Sequence, residues 1–460
     1  MSHLLISAAH KSSGKTTISI GLCAAFKQQG VAVQPFKKGP DYIDPMWLGR
    51  AADRACHNLD FHVSSRTAIK DTFAQRMQDM DLGIIEGNKG LYDGLDLDGS
   101  NSNAALATLL NAPVVLVIDA RGMTRGIAPL ILGYQSFEPD IHIGGVILNH
   151  VGGYRHEEKL RRVIEHYTDA AVLGAVHQNS KLEIVERHLG LMPSSEADKR
   201  DEIIQHITHA VTEQVDLDKV IQLAGTAPKI TSTAPVIKTS SNDPKIRIGI
   251  AQDAAFGFYY AGDLEQFEQA GVELVPFNTL TDKTLPDVDG LFIGGGFPET
   301  QMAALEKNQS LRQSIYNFIE SGGPAYAECG GLMYLTRSLS WQGKQYEMVG
   351  VIPTDCIMCD RPQGRGYVRL HQTPNAPWGK LPKTLKDIAA HEFHYSKLEN
   401  LGKDIKFAYE VLRGTGIDGH HDGIIYKNLL ASYIHLRDTD RYHWVEGFVT
   451  HVRNHLASKK

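Results

Sequence analysis

Three groups of residues have the types and spacing to do chemistry. The first is Ala9-His10-Lys11-Ser12-Ser13-Gly14-Lys15-Thr16, which departs from the phosphate-loop pattern only at Ala9, where the first glycine is usual. Backbone N–H groups of such a turn cradle phosphate oxygens, the lysine neutralises the outer phosphates and the hydroxyl holds Mg²⁺. Gly14, Lys15, Thr16 and Thr17 are the nucleotide-binding candidates, Thr16 also as a metal ligand. An ordinary glycine turn opening a helix is the bland reading; an apolar run before it and a helical stretch after it speak against that.

The second group follows later apolar runs. Lys37-Lys38-Gly39-Pro40-Asp41-Tyr42-Ile43-Asp44-Pro45 puts two lysines and two acids beyond a strand end, a set that suits a Mg²⁺-nucleotide and an anionic substrate. Taken alone, a solvated charged loop explains it equally well. Glu86 closes the run Leu82–Ile85 and is placed to bind the metal, directly or through water. Gly90-Leu91-Tyr92-Asp93-Gly94 comes next, and Asn149 closes the run Gly145–Leu148. The Asn149 amide could read an adenine edge; from spacing alone a turn or cap asparagine is as good a reading.

The third group lies in the second half. In Pro324–Leu332 an apolar strand runs into Glu328-Cys329-Gly330-Gly331, with Ala327 where the first glycine of a nucleophile elbow is usual. Such a turn exposes the reactive atom, lets the N–H of Gly330 stabilise an oxyanion, and puts the thiol at a helix N-terminus where the thiolate is favoured. His435, ending the run Ser432–Ile434, is the base, and Gly295 in Gly294-Gly295-Gly296 supplies backbone for the other oxyanion donor. Arg437 stands two beyond the histidine, where many glutaminases carry glutamate, so a third triad member is absent or comes from elsewhere. Cys356, Cys359, His391 and His394 could form a zinc set, but the His-x₂-His spacing is tight and the pairs lie far apart; surface or core roles, with His391–Tyr395 lining a cleft, are preferred.

These residues need strands to hold them. Short apolar runs at Leu4–Ala8, Val31–Phe36, Leu82–Ile85, Val114–Ile118 and Val146–Leu148 alternate with amphipathic stretches, which implies a parallel, doubly wound sheet with ligands at the strands' carboxyl ends. The Thr-, Ser- and Pro-rich text after Ala224 reads as a linker. Strand pattern restarts at Ile246–Ala251 and recurs at Val272–Phe277, Leu291–Ile293 and Pro324–Ala327. The expected domains are 1–224, a linker at 225–244, and 245–460.

With 460 residues, two cores are expected. A formal net charge of −6 lacks the basic excess that drives binding to nucleic acid or anionic lipid, so neither is expected as a partner. The N-terminal text has no signal-peptide regions in series, and five cysteines without framework spacing argue for a reducing compartment, the cytoplasm.

In order along the chain, SSGKTT (Ser12–Thr17), KKGPDYIDP (Lys37–Pro45), GLYDG (Gly90–Gly94), GGVILN (Gly144–Asn149), ERHLGL (Glu186–Leu191), DAAFGFYY (Asp253–Tyr260), AECGGLMYL (Ala327–Leu335), HEFHYS (His391–Ser396) and ASYIHL (Ala431–Leu436) closely resemble the cobyrinic acid a,c-diamide synthase family. The resemblance implies an α/β chain with a dethiobiotin-synthetase-like P-loop domain and a class I glutamine amidotransferase-like domain lacking the usual triad glutamate. It implies ATP- and glutamine-dependent amidation of the a and c acetate carboxylates of an anionic tetrapyrrole through an acyl phosphate, with Mg²⁺. By the same resemblance Lys38, Asp41, Tyr42, Asp44 and Asp93 act in substrate binding or phosphoryl transfer, Asp41 also near the metal, and Asn149 in adenine recognition. Cobyrinate is the default substrate, with sirohaem or nickel-sirohydrochlorin as rivals within the family. A nucleotide-switch ATPase without amidation is the reading from another class, and it leaves Cys329 and His435 idle. A homodimer is an open arrangement.

Overall fold

The computed structural model describes residues 2–184, 200–232, 245–379, 381, 385–402 and 404–459, with the backbone alone of 186–187 and 190–191. The side chains of the ERHLGL motif and residues 233–244 of the expected linker lie outside the described residues. By its contacts the chain divides into two compact units, Met1–Pro235 and Val236–Lys460.

In the first unit a seven-stranded parallel sheet runs in the order His57–Leu59, Val33–Lys38, Leu82–Glu86, Ser2–Ala8, Val114–Asp119, Ile143–Val151, Val172–His177. The central strands are near-continuous apolar runs, buried along almost their whole length, as a parallel sheet covered on both faces requires. Their carboxyl ends therefore deliver Ala9, Glu86 and Asn149 to one edge of the sheet. The two outermost strands are additional to the five expected runs. His57–Leu59 carries two polar residues in three, and Asn58 Nδ2 ties it to the neighbouring loop through Gly39 O (2.9 Å) and Asp41 O (2.7 Å). Beyond the helix Leu217–Ala224, Ile230 packs on this unit's core and Ser232 Oγ donates to Asp71 Oδ1 at 2.9 Å.

The second unit holds a nine-stranded sheet in the order Val272–Phe277, Ile246–Ala251, Gly290–Ile293, Ala325–Glu328, Leu429–Ser432, His421–Tyr426, Lys406–Arg413, Gly364–Gln372, Ile388–His394. Its first five strands are parallel. The rest turn antiparallel, a departure from the uniform strand–helix alternation that the start of this unit suggests. Those later strands mix polar and apolar residues, as in Gly364–Gln372, so no long apolar run announces them. Phe267, Phe292, Tyr326, Trp444 and Phe448 form an aromatic cluster on one face of the parallel half.

Candidate functional site

The phosphate loop leaves the strand Ser2–Ala8 and enters the helix Lys15–Gln28. Gly14 sits at φ +86°, and a Cβ there would lie 2.0 Å from Asn149 Nδ2, so both backbone and space demand glycine. Asn149 is buried and donates from Nδ2 to Ser13 O at 3.0 Å, which makes it a brace for the loop whatever else it contacts. Tyr134 donates its hydroxyl to Ala9 O on the loop's other arm. Thr17 is half-buried in the first helical turn.

Lys15 opens the helix almost buried, and that burial pushes its ammonium down to about 8 against the pull of Glu86. Thr16 Oγ1 donates to Glu86 Oε1 at 2.6 Å and to Asp44 Oδ2 at 3.3 Å. At the centre of the group stands Lys37, its Nζ 2.5 Å from Asp44 Oδ2, 3.2 Å from Glu86 Oε1 and 3.8 Å from Asp41 Oδ2. Burial works against the Lys37 charge, but Asp44 and Glu86 hold its ammonium well above the ordinary lysine range. At Glu86 burial prevails and the carboxyl is shifted upward despite Lys37. Burial, with the Asp44 charge, pushes Asp41 up to about 7. Asp41 Oδ1 also caps the following turn through Ile43 N (2.9 Å) and Asp44 N (3.1 Å), with Tyr42 buried between them.

Lys38 points elsewhere. Its Nζ meets two neutral amide oxygens, Asn88 Oδ1 at 3.3 Å and Asn101 Oδ1 at 3.4 Å, and burial pushes it down to about 8 against the opposing charge of Asp60. Asp93 is exposed and accepts from Gly90 N at 2.9 Å, while Gly90 packs against Ala9 O of the phosphate loop. Asn103, which sequence reasoning missed, holds this segment: it donates to Asn88 O (2.5 Å) and Gly90 O (2.8 Å) and accepts from Asn88 N (3.1 Å). Lys37, expected with Lys38 beyond the strand end and given no role of its own, lies inside the strand Val33–Lys38, where a buried lysine signals a partnered charge.

The donor set fits Mg²⁺. Glu86 Oε2 is buried without a hydrogen-bond partner, beside the Thr16 hydroxyl and the Asp44 carboxylate, all hard oxygens. Among the described residues no three His, Cys, Asp or Glu side chains form a ready-made cage. An ion that keeps waters and takes phosphate oxygens from its nucleotide needs none.

In the second unit Cys329 lies between the strand Ala325–Glu328 and the helix Gly330–Leu335, at φ 48° and ψ −102°. Non-glycine residues reach that conformation only where the surroundings over-determine it. Here Cys329 N donates to Ser432 O at 2.7 Å and Met333 N to Cys329 O at 3.0 Å. A Cβ on Gly331 would stand 2.1 Å from Ile293 O, so this turn seats against the neighbouring strand only with glycine. Gly330 packs beside Gly296 N, and Gly295 packs against His435 Cε1, so both expected oxyanion glycines border the thiol and imidazole.

His435 arrives on the turn after the strand Leu429–Ser432, fixed by buried Asp422, which accepts from Ser432 Oγ (2.5 Å), Tyr433 N (3.1 Å) and Ile434 N (3.0 Å). Burial alone would push the imidazole down; hydrogen bonding to Cys329 and the charges of Cys329 and Glu328 raise it to about 10. Its ring stacks on His391 with centroids 4.9 Å apart. Glu328, a carboxylate that sequence reasoning did not single out, has Oε2 3.4 Å from His435 Nδ1. The guanidinium of Arg437 instead lies over the Tyr260 ring, 5.0 Å from its centroid. Of the four residues weighed for zinc, Cys356 Sγ faces Tyr433 Oη (3.7 Å), His394 stacks on Tyr433 and bonds Ser396 O (2.8 Å), Cys359 Sγ faces Ile357 O, and His391 serves the imidazole stack.

Residues 5–191 match the CobQ/CobB/MinD/ParA nucleotide binding domain, and residues 247–441 the CobB/CobQ-like glutamine amidotransferase domain. A cobyrinate a,c-diamide synthase of Magnetococcus marinus is 45% identical over 450 residues, 96% of this chain and 95% of its own. Enzymes of the same name from Methanosarcina acetivorans and Archaeoglobus fulgidus are 41% and 43% identical, each over 94% of this chain and over 92% and 93% of their own lengths. A solved glutamine amidotransferase aligns with 46% of this chain and 95% of its own at 14% identity and a TM-score of 0.31.

Proposed function

The chain belongs to the cobyrinate a,c-diamide synthase family, and on that premise we propose that it uses ATP and glutamine to convert acetate carboxylates of a corrin-type tetrapyrrole, cobyrinate first, to amides at a and c. One observation carries the reading: the likeness runs through both units, and one chain holds both a phosphate-loop charge cluster and a strained cysteine beside a histidine. A nucleotide switch would need only the first.

In the first unit, N–H groups of the Gly14–Thr16 turn and the Lys15 ammonium bind the outer phosphates of ATP, and Asn149 borders the adenine while bracing the loop. Thr16 and Glu86 would hold Mg²⁺, with Asp44 beside them and Asp41 across Lys37, and the ion would supply charge neutralisation at the phosphates. Lys38, poorly matched by neutral amides, takes an incoming carboxylate, and Tyr42, Asp44 and Asp93 act in substrate binding or phosphoryl transfer. A substrate carboxylate oxygen attacks the γ-phosphorus, ADP leaves, and the acyl phosphate accepts ammonia with loss of phosphate. In the second unit, Cys329 attacks the side-chain amide of glutamine, N–H groups near Gly295 and Gly330 stabilise the oxyanion, and His435 transfers the proton to departing ammonia.

The proposed domains are 1–224 and 245–460, and the proposed compartment is the cytoplasm, with all five cysteines unpaired. Among the described residues no helix is long and apolar enough to cross a membrane. The test is to incubate the protein with ATP, Mg²⁺ and glutamine and, in turn, cobyrinate, hydrogenobyrinate, nickel-sirohydrochlorin and sirohaem, weighing the products. Cobyrinate gaining two amides is expected. Amidation of sirohaem or nickel-sirohydrochlorin alone would reassign the substrate, and none at all would overturn the reaction.

A further inference from the structure

We propose that Glu328 stands in for the missing third member of the thiol site, as a positioning carboxylate that holds the His435 imidazole in the orientation and charge state that serves Cys329. The inference rests on the reading of the second unit as a glutaminase.

Topology explains how a residue next to the nucleophile reaches its base. The strands Ala325–Glu328 and Leu429–Ser432 are parallel neighbours, and Glu328 pairs in register with Ser432, three residues before His435. The side chain that closes the first strand therefore meets the turn that leaves the second. Glu328 and His435 are each 3% exposed, so water and salt screen their interaction little.

A carboxylate so buried needs its oxygens occupied. Tyr326 Oη (2.5 Å) and Leu436 N (2.9 Å) both donate to Oε1, which fixes the carboxylate plane and leaves Oε2 facing His435 Nδ1 at 3.4 Å. Nδ1 lies at ion-pair distance from the carboxylate, short of an aligned hydrogen bond; a small turn of the ring that aims Nδ1–H at Glu328 leaves Nε2 to take the thiol proton, the division of roles a triad carboxylate imposes. The sequence position where a glutamate would do this holds Arg437, and its guanidinium is engaged over Tyr260. A cation there cannot stabilise an imidazolium. An acid at the end of the nucleophile's own strand supplies the charge instead.

A purely structural Glu328, there only to satisfy Tyr326 and Leu436, makes different demands, and two charge variants separate the readings. In Glu328→Gln, glutamine-dependent amide formation is expected to fall about 100-fold in kcat, with little change in glutamine KM. Synthesis from ammonium salts stays within about twofold, and the basic limb of the glutamine pH–rate profile moves to lower pH because the imidazolium has lost its counter-charge. Glu328→Asp keeps the charge, so its loss is smaller and its basic limb stays nearer the parent's. Equal losses from both nitrogen sources, or identical pH profiles for Gln and Asp, would overturn the proposal. If Glu328→Gln does not fold, Tyr326→Phe takes its place: a roughly fivefold fall confined to glutamine supports the role, and an equal fall with ammonia overturns it. Cys329→Ala runs alongside. Should that variant keep glutamine-dependent synthesis, the glutaminase reading itself fails; should it lose it while Glu328→Gln stays fully active, only the role of Glu328 fails.

Discussion

At the phosphate loop five ionisable side chains, Lys15, Lys37, Asp41, Asp44 and Glu86, crowd around one another, with Lys37 and Glu86 buried at the centre. Around Cys329 a strained backbone, two packed glycines and one imidazole–carboxylate pair do the corresponding work. The first site must receive a polyanion, so it holds cations that burial alone would neutralise and keeps them charged with acids: two unit charges 4 Å apart interact by about 4 kcal/mol at an effective dielectric near 20. The second receives a neutral amide. It needs little standing charge and instead spends conformational strain to expose one sulfur and aim N–H groups at one oxygen. Charge placement should therefore dominate the response to mutation throughout the first site, whereas in the second it matters at the single Glu328–His435 pair and backbone geometry decides the rest.

The strongest way to break that contrast is Lys15→Ala. Its amide formation is expected to fall by about 1,000-fold with either glutamine or ammonia as nitrogen source, while hydrolysis of glutamine to glutamate remains measurable by an enzyme-coupled glutamate assay. Undiminished amide product would remove Lys15 from the phosphate site.

Lys37→Met asks whether the cluster is a structural commitment as well. Taking the cation from between Asp44 and Glu86 leaves buried acids unpaired, a loss of about 3–5 kcal/mol in the first unit. Limited proteolysis read by mass spectrometry should show peptides of residues 1–235 released at lower denaturant than in the parent, with those of 245–460 unaffected. Equal protection would mean that water or a rearranged Lys15 compensates.

A smaller effect sharpens the other side. His435 is raised from 6.5 to about 10 in the folded chain, so the stability its interactions contribute is fully present below about pH 6.5 and is lost as pH rises through about 10. The stability advantage of the parent over His435→Gln, from urea midpoints of the second unit across that range, is expected to shrink steadily. An advantage independent of pH would show that the imidazole is neutral in the folded protein.

The contrast also governs what could be read from sequence. That Lys15, Thr16 and Glu86 come together was legible because parallel strands release their closing residues at one end, and an acid closing an apolar run is conspicuous there. Glu328 closes the strand Ala325–Glu328 in the same way, but no strand pattern states that it will meet the turn carrying His435. Lys37 was hidden inside a strand, where side-chain direction rather than residue type decides its role. The strand His57–Leu59 and the antiparallel half of the second sheet escaped because partners, not apolar runs, define them. Asn103 and Asp422 act by satisfying backbone groups of loops whose shape no local pattern states.

The division of labour between charge cluster and thiol is tested most directly by measuring amide formation from glutamine and from ammonium salts at mildly alkaline pH, on one folded preparation of Cys329→Ala. Glutamine-dependent synthesis should fall by at least about 1,000-fold, since the acyl-enzyme route is gone, while ammonia restores product at close to the parent's ammonia-dependent rate. Full glutamine-dependent activity in that variant, or equal loss with both nitrogen sources, would contradict it.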